Sequence, residues 1–117
     1  MNFVVSSSTL LKHLKSISGV LNSSNTIPIL DCFLFELNNG MLTLFASDME
    51  TTITTSIKVE SSENGNLAIP AKTLLEALSN LPEQPISFII DNKKFSAKLK
   101  TETGDYTLTG HNGDEYP

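Results

Sequence analysis

The sequence predicts an α+β fold in which one strand–helix–strand–strand–strand unit, written βαβββ, occurs twice. The first observation is an internal repeat, because residues 9–14 (TLLKHL) return as residues 73–78 (TLLEAL). The second is a short apolar run ahead of each copy, at residues 2–5 (NFVV) and 66–69 (NLAI). The third is that runs typical of β-strands follow both copies. Self-similarity of this kind indicates a duplicated structural unit.

This duplication sets the expected domain organisation. A chain of 117 residues has the length of one domain. We therefore expect a single domain over residues 1–117, divided into pseudo-repeats at residues 1–62 and 63–117.

Each repeat contains a predicted amphipathic helix, over residues 7–21 in the first copy and 71–81 in the second. Apolar residues recur at helical spacing and form one face of each helix: Leu10, Leu11, Leu14, Ile17 and Leu21 in the first, and Ala71, Leu74, Leu75, Leu78 and Leu81 in the second. Ser6, Ser7 and Ser8 offer an N-cap to the first helix, while Pro70 begins the second and Pro82 stops it. The opposite faces are polar and rich in small residues.

Three strands are expected after each helix, with turns at residues rich in Asn, Asp and Gly. They cover residues 32–37, 41–46 and 51–60 in the first half, and 86–90, 95–100 and 106–110 in the second. The turn Asn38-Asn39-Gly40 provides the glycine that a tight hairpin requires. We expect curved antiparallel sheets with both helices side by side on one face.

The charges are unevenly distributed along the chain. The formal net charge is −5, from 8 lysines, no arginine and 13 acidic residues. Residues 1–30 contain Lys12 and Lys15 and no acid, so the first helix forms a cationic patch on an acidic body. An acidic body argues against indiscriminate nucleic-acid binding over the whole surface. Cys32, the only cysteine, fits a reducing cytoplasm and is expected to be a small buried hydrophobe. No secretory signal and no membrane-spanning run is recognisable.

Four motifs carry a resemblance to the bacterial DNA sliding clamp family, the β subunit of DNA polymerase III, over the full length of the chain. They are Leu10-Leu11-Lys12 with Ser18-Gly19, residues 26–30 (TIPIL), 46–52 (ASDMETT) and 69–72 (IPAK). The chain resembles the first of the three domains that chains of this family carry. The resemblance implies the DNA clamp fold and a homodimeric ring around double-stranded DNA without sequence preference. It further implies that the DNA polymerase III α subunit and the clamp loader dock on the intact ring, and that no cofactor is needed.

The resemblance also implies residue roles. The helices of the family line the hole, which gives a set of DNA-facing residues: Lys12, Lys15, Ser16, Ser24 and Lys72. Lysines on flexible stems beside serines suit a weak attraction to phosphate that allows sliding. Many relatives have a basic residue in the loop that contains Ser24, so a contact there would be a hydroxyl or amide bond to phosphate. The second helix and the last strand imply the subunit interface: Thr73, Ala77, Leu81, Tyr106 and Leu108, of which Leu81 and Leu108 could equally belong to the domain core.

Two other classes of function remain to be compared with the clamp. An enzyme would need His13, His111, Asp48 or Glu50 to converge, yet the sequence has no metal-binding or nucleophile motif and Asp48 and Glu50 are expected to shape a turn. We expect no catalytic residue and no metal ligand. The resemblance implies a non-catalytic subunit of the DNA polymerase III holoenzyme, a nucleotidyltransferase. The second class is an acidic protein-interaction module without a DNA-encircling role. A single domain of the family should by itself neither close a ring nor bind polymerase peptide well, because the peptide pocket of the family lies between the second and third domains.

Overall fold

The computed structural model describes residues 1–21, 27–61 and 63–117. These residues form two α-helices and eight strands, in the order βαβββ twice: β1 (Asn2–Ser6), α1 (Ser7–Ile17), β2 (Cys32–Asn38), β3 (Met41–Ser47), β4 (Thr52–Lys58), β5 (Gly65–Pro70), α2 (Ala71–Ser79), β6 (Pro85–Asp91), β7 (Ser96–Thr101) and β8 (Gly104–Thr109). Short 3-10 turns cover Ser18–Val20, Pro28–Asp31 and Gly113–Glu115. The predicted α+β class and the duplicated order of elements are confirmed.

The two repeats exchange their first strands. All pairs are antiparallel, and the first sheet has the strand order β1-β6-β7-β8 while the second has β4-β3-β2-β5. β1 therefore joins the three strands of the second repeat, and β5 joins those of the first. Isolated bridges link the two sheets at both seams, Val4 with Glu60 and Ala68 with His111. Neither repeat can complete its sheet without the other.

One hydrophobic core lies between the sheets and beneath the helices. At its centre Phe3 of β1 stacks on Phe88 of β6, with ring centroids 4.7 Å apart. Phe35 of β2 reaches both rings from the other sheet, at 6.4 Å and 5.9 Å. These rings are almost completely buried, and burying a phenylalanine stabilises a fold by about 1.5–3 kcal/mol. The stack therefore joins strands of both sheets in one core.

The helices supply the remaining wall of this core. Their buried residues are spaced three or four apart, as an amphipathic helix requires: Leu10, Leu14 and Ile17 in α1, and Ala71, Leu74, Ala77 and Leu78 in α2. α1 and α2 also contact each other. The prediction of two helices packed side by side with one apolar face inward is confirmed.

Both helices are shorter than predicted at their C-terminal ends. The Ser6 side chain caps α1 by accepting a hydrogen bond from the Thr9 amide at 3.3 Å, as predicted. α1 ends at Ile17 rather than at residue 21, because the Ser18 hydroxyl donates to the Lys15 carbonyl at 3.0 Å and the chain tightens into a 3-10 turn. α2 ends at Ser79 rather than at residue 81, where Pro82 limits its continuation.

Two of the predicted turns show the expected chemistry. Asn39 and Gly40 adopt positive φ of 52° and 76°, the pair of values that a type I′ hairpin needs. The Asp48 carboxylate accepts hydrogen bonds from the amides of Thr51 at 2.7 Å and Glu50 at 3.0 Å. These bonds, the one from Thr51 foremost, lower the pKa of Asp48 below its ordinary value. Asp48 thus shapes a turn.

Candidate nucleic-acid interface

The exposed face of α1 is cationic. Lys12, Lys15 and Ser16 are exposed, whereas Leu14 and Ile17 on the other side of the helix are buried. Lys12 and Lys15 are three residues apart, a spacing that places both side chains on one face of a helix. No acidic residue occurs anywhere in α1. A uniformly positive surface on this helix is therefore available to an anionic partner.

α2 adds one more lysine to the helix pair. Lys72 is exposed in the first turn of α2, where no acidic residue occurs. The N-terminus of a helix carries partial positive charge from its unpaired amides, so Lys72 and the helix end attract anions together. Glu76, one turn further, is the single acidic residue of α2. The helix pair thus carries three lysines and one acid.

The helix lysines are not neutralised by neighbouring carboxylates. Within the described ranges, the one ion pair is between Lys98 and Asp105, at 3.6 Å. Lys12, Lys15 and Lys72 therefore form no ion pair with any described carboxylate. The acids lie elsewhere: Glu76 apart, they belong to strands, turns and termini. Of these, Glu83 reaches the start of α1, where its carboxylate accepts hydrogen bonds from the hydroxyls of Ser6 at 2.8 Å and Ser7 at 3.4 Å.

Ser16 and Ser24 are the two serines that were predicted to contact DNA. The Ser16 hydroxyl donates a hydrogen bond to the His13 carbonyl at 2.6 Å. Its proton is thus engaged within the helix, and a contact with phosphate, which only accepts, would require breaking this bond. Ser24 lies outside the described residues. Both assignments to a DNA-facing surface stay predictions.

The residues predicted for the subunit interface lie on α2, on the segment just after it and on β8, and they differ in exposure. Thr73 is exposed, while Leu81 and Tyr106 are half-buried and pack against the core. Ala77 and Leu108 retain only 9% and 7% exposure. Leu108 belongs to the core cluster of this chain, in line with its alternative interpretation. A second subunit could reach the exposed positions and the edge of β8. The interface itself stays a prediction.

The side chains considered for an enzyme do not converge. His13 Nδ1 donates to the Thr9 carbonyl at 2.8 Å, and the backbone of His111 bridges to Ala68 on the far strand. Burial raises the pKa of the Cys32 thiol to about 12, so it does not supply a thiolate at neutral pH. In the part of the chain that the structure covers, no three His, Cys, Asp or Glu side chains are grouped to hold a metal ion. Nor has any helix there the length and hydropathy needed to cross a membrane.

One charged feature was missed by the sequence analysis. Residues 92–101 (NKKFSAKLKT) contain four of the 8 lysines and no acid, yet they were counted as part of the acidic body. The signal was the local charge pattern, which the net charge of −5 over the whole chain conceals. β7 and the turn before it carry these lysines on a surface separate from the helices.

The fold is that of a DNA sliding-clamp domain. A crystal structure of a DNA polymerase sliding clamp from Caulobacter crescentus matches with a TM-score of 0.92 at 24% identity, covering 100% of this chain and 32% of that one. A DnaN sliding clamp, DNA polymerase III subunit beta, from Bartonella birtlesii bound to griselimycin matches with a TM-score of 0.93 at 25% identity. It is covered over 31% of its length.

The family model described as the DNA polymerase III beta subunit, N-terminal domain, matches residues 1–117. The chain therefore belongs to this family. A beta sliding clamp from Haemophilus influenzae is 32% identical over 121 residues, an alignment that covers 100% of this chain. The chain spans 32% of the length of that relative.

Proposed function

We propose that this chain forms one helix-lined segment of a sliding clamp, a processivity factor that encircles duplex DNA and tethers DNA polymerase III during replication. Residues 1–117 would be the first of three such domains in each subunit. The observation that carries the proposal is the positive charge of the helix pair: among the described residues, Lys12, Lys15 and Lys72 form no ion pair, although the net charge of the chain is −5. Family membership supports the same conclusion.

The chemistry of the helix surface suits sliding better than static binding. Lysine is a compact point charge on a flexible stem, whereas arginine holds phosphate through two fixed hydrogen bonds. The chain contains no arginine. Attraction of this kind is independent of sequence and is screened beyond about 8 Å at physiological ionic strength. A ring with such a lining would attract the DNA backbone without fixing its position.

The remaining surfaces fit a role inside a ring. β8 is an edge strand, so its outward backbone groups are free to pair with a strand of another domain. With Thr73 and the exposed part of Tyr106 beside it, this edge would contact the second subunit of a homodimer. The polymerase α subunit and the clamp loader would bind the intact ring, which would act in the bacterial cytoplasm as a non-catalytic subunit of the holoenzyme.

The proposal is tested by neutralising helix lysines in the intact protein. We expect the double substitution K12Q/K15Q to weaken binding to a short duplex at low salt. Each lysine that contacts phosphate contributes about 0.9 to the slope of log affinity against log salt concentration, so the slope should fall by roughly 2. Fluorescence anisotropy of a labelled duplex measures it.

The matched control is K93Q/K94Q, which removes the same charge from a turn outside the helices. It should leave the slope within experimental error of the unmodified protein. If K12Q/K15Q behaved like this control, the DNA-facing role of α1 would be refuted. The acidic protein-interaction module would then be the better account of the chain.

A further inference from the structure

The first sheet has an outer face that is turned away from the core and carries two lysines, with two more in the adjoining turn. Side chains alternate along its strands, so Phe88 and Leu99 are fully buried whereas Ile89, Lys98 and Lys100 are exposed. Ile89 lies opposite Lys98 in the register of β6 and β7, and Ser87 lies opposite Lys100. We call Val4, Ile89, Lys98 and Lys100, with the turn residues Lys93 and Lys94, the outer lysine face.

The lysines of this face are largely available to a partner. Lys98 pairs with Asp105 at 3.6 Å, but the two side chains are 47% and 45% exposed, and exposed pairs of this kind contribute little. Lys93, Lys94 and Lys100 form no ion pair with a carboxylate of the described residues. In the turn, the Asp91 carboxylate accepts hydrogen bonds from the amides of Lys93 at 2.9 Å and Lys94 at 3.1 Å. It therefore fixes the turn backbone, and these bonds, together with the charges of Lys94 and Lys93, lower the pKa of Asp91.

Apolar side chains lie beside these lysines. Ile89 is 37% exposed, one of the few large hydrophobic residues at this level of exposure. Val4 on β1 lies diagonally across from it, since Val4 is opposite Ser87 and Asn2 is opposite Ile89. A groove of about 600 Å³ begins at Val4 and follows the seam between β1 and β4, where Lys58, Val59, Glu60, Glu83 and Pro85 also line it. The face thus combines positive charge with an apolar strip, beside a groove of mixed polarity.

We propose that the outer lysine face docks an extended, acidic segment of a partner protein. Lys98 and Lys100 are two residues apart on one strand, a spacing of about 6.6 Å. Carboxylates at alternate positions of an extended segment have the same spacing, so both can be paired at once. An apolar side chain of the segment would cover Ile89 and Val4 and enter the groove.

A protein segment fits this face better than nucleic acid does. The lysines surround an exposed isoleucine, which gains from an apolar partner and not from phosphate. The docking site is independent of the proposed function, because it lies on the sheet and not on the helix pair. It adds a second, outward-facing surface to the molecule.

The experiment titrates the protein, labelled with nitrogen-15, with a nine-residue peptide that has Asp or Glu at alternate positions and a central leucine. We expect shifts of the amide signals of Ile89, Lys98 and Lys100 at low salt. The substitution K98Q/K100Q should weaken binding at least fivefold, and I89S should weaken it to a similar degree. K12Q/K15Q removes the same charge elsewhere and should leave the affinity for the peptide unchanged.

Three results would overturn the proposal. The first is an absence of shifts on this face, and the second is equal weakening by K98Q/K100Q and K12Q/K15Q, which would indicate attraction to net charge alone. The third is displacement of the peptide from this face by a short DNA duplex, which would make it a nucleic-acid surface. Because all the substituted positions are exposed, a thermal melt of each variant separates loss of binding from loss of folding.

Discussion

Gly110 provides the sharpest test of how the two sheets are joined. A Cβ atom at this position would overlap the carbonyl oxygen of Ala68 and lie 3.3 Å from the Leu67 side chain. The first contact is with backbone, which cannot rotate away as a side chain can. Gly110→Ala should therefore push the chain after β8 away from β5.

The expected loss of stability follows from the bonds at this seam. Ala68 and His111 exchange two backbone hydrogen bonds, at 3.1 Å and 2.8 Å. Each such bond contributes about 1 kcal/mol net, and forcing an extra methyl group into a packed site costs about 1–3 kcal/mol. We expect the free energy of unfolding to fall by roughly 3–5 kcal/mol. At about 4 °C per kcal/mol for a domain of this size, Tm should fall by roughly 12–20 °C.

Urea unfolding followed by circular dichroism measures the change, with Gly19→Ala as the matched control. A Cβ atom at Gly19 meets nothing within 4 Å, so this substitution should leave the stability unchanged or raise it by about 0.4–1 kcal/mol. A fall of less than about 0.5 kcal/mol for Gly110→Ala would refute the close approach of the two chain segments. An equal fall in both variants would show that the backbone freedom of glycine, and not the contact with Ala68, accounts for the loss of stability.

Two further predictions concern titratable groups. Hydrogen bonds from Thr51 and Glu50 lower the pKa of Asp48 in the folded state. The Asp48 carboxylate therefore stabilises the fold above the unfolded pKa of about 3.9. This contribution is lost as the pH falls through the folded pKa. Asp48→Asn should accordingly be less stable than the unmodified protein at neutral pH, and urea midpoints measured from pH 7 down to pH 2 should converge; a constant gap at all pH values would contradict the assignment. Since the pKa of Cys32 is raised to about 12 by burial, a thiol reagent at pH 8 should react with it only after urea unfolds the chain, and fast labelling of the native protein would contradict this.

The order of elements and their buried faces were predictable because residues close together in the sequence determine them. The repeat of residues 9–14 at 73–78 indicated two equivalent helices, and helical periodicity identified Leu10, Leu14 and Leu74 as core residues. Alternation of apolar and polar residues indicated the strands, and the Asn39-Gly40 pair indicated the hairpin turn. Each of these signals involves residues close together in the chain.

The exchange of first strands could not be predicted in the same way. Nothing in residues 2–6 specifies that their partner is β6 rather than the neighbouring β2, because alternation defines the face of a strand and not its partner. The C-terminal end of α1 was predicted wrongly for a related reason, since the hydrogen bond from the Ser18 hydroxyl to the Lys15 carbonyl competes with helix continuation. For the candidate site, exposure of Lys12, Lys15 and Lys72 followed from the helical wheel, while the core position of Leu108 depends on tertiary packing.

The strand exchange also has a consequence for synthesis on the ribosome. β1 is translated long before β6, yet Asn2 pairs with Ile89 and Ser6 with Pro85. At about 5–20 residues per second, roughly 4–16 s pass between translation of the two partners. During this interval Phe3 and Val5 have no sheet to cover them. The apolar side chains of β1 therefore stay uncovered in the nascent chain until β6 has left the ribosome.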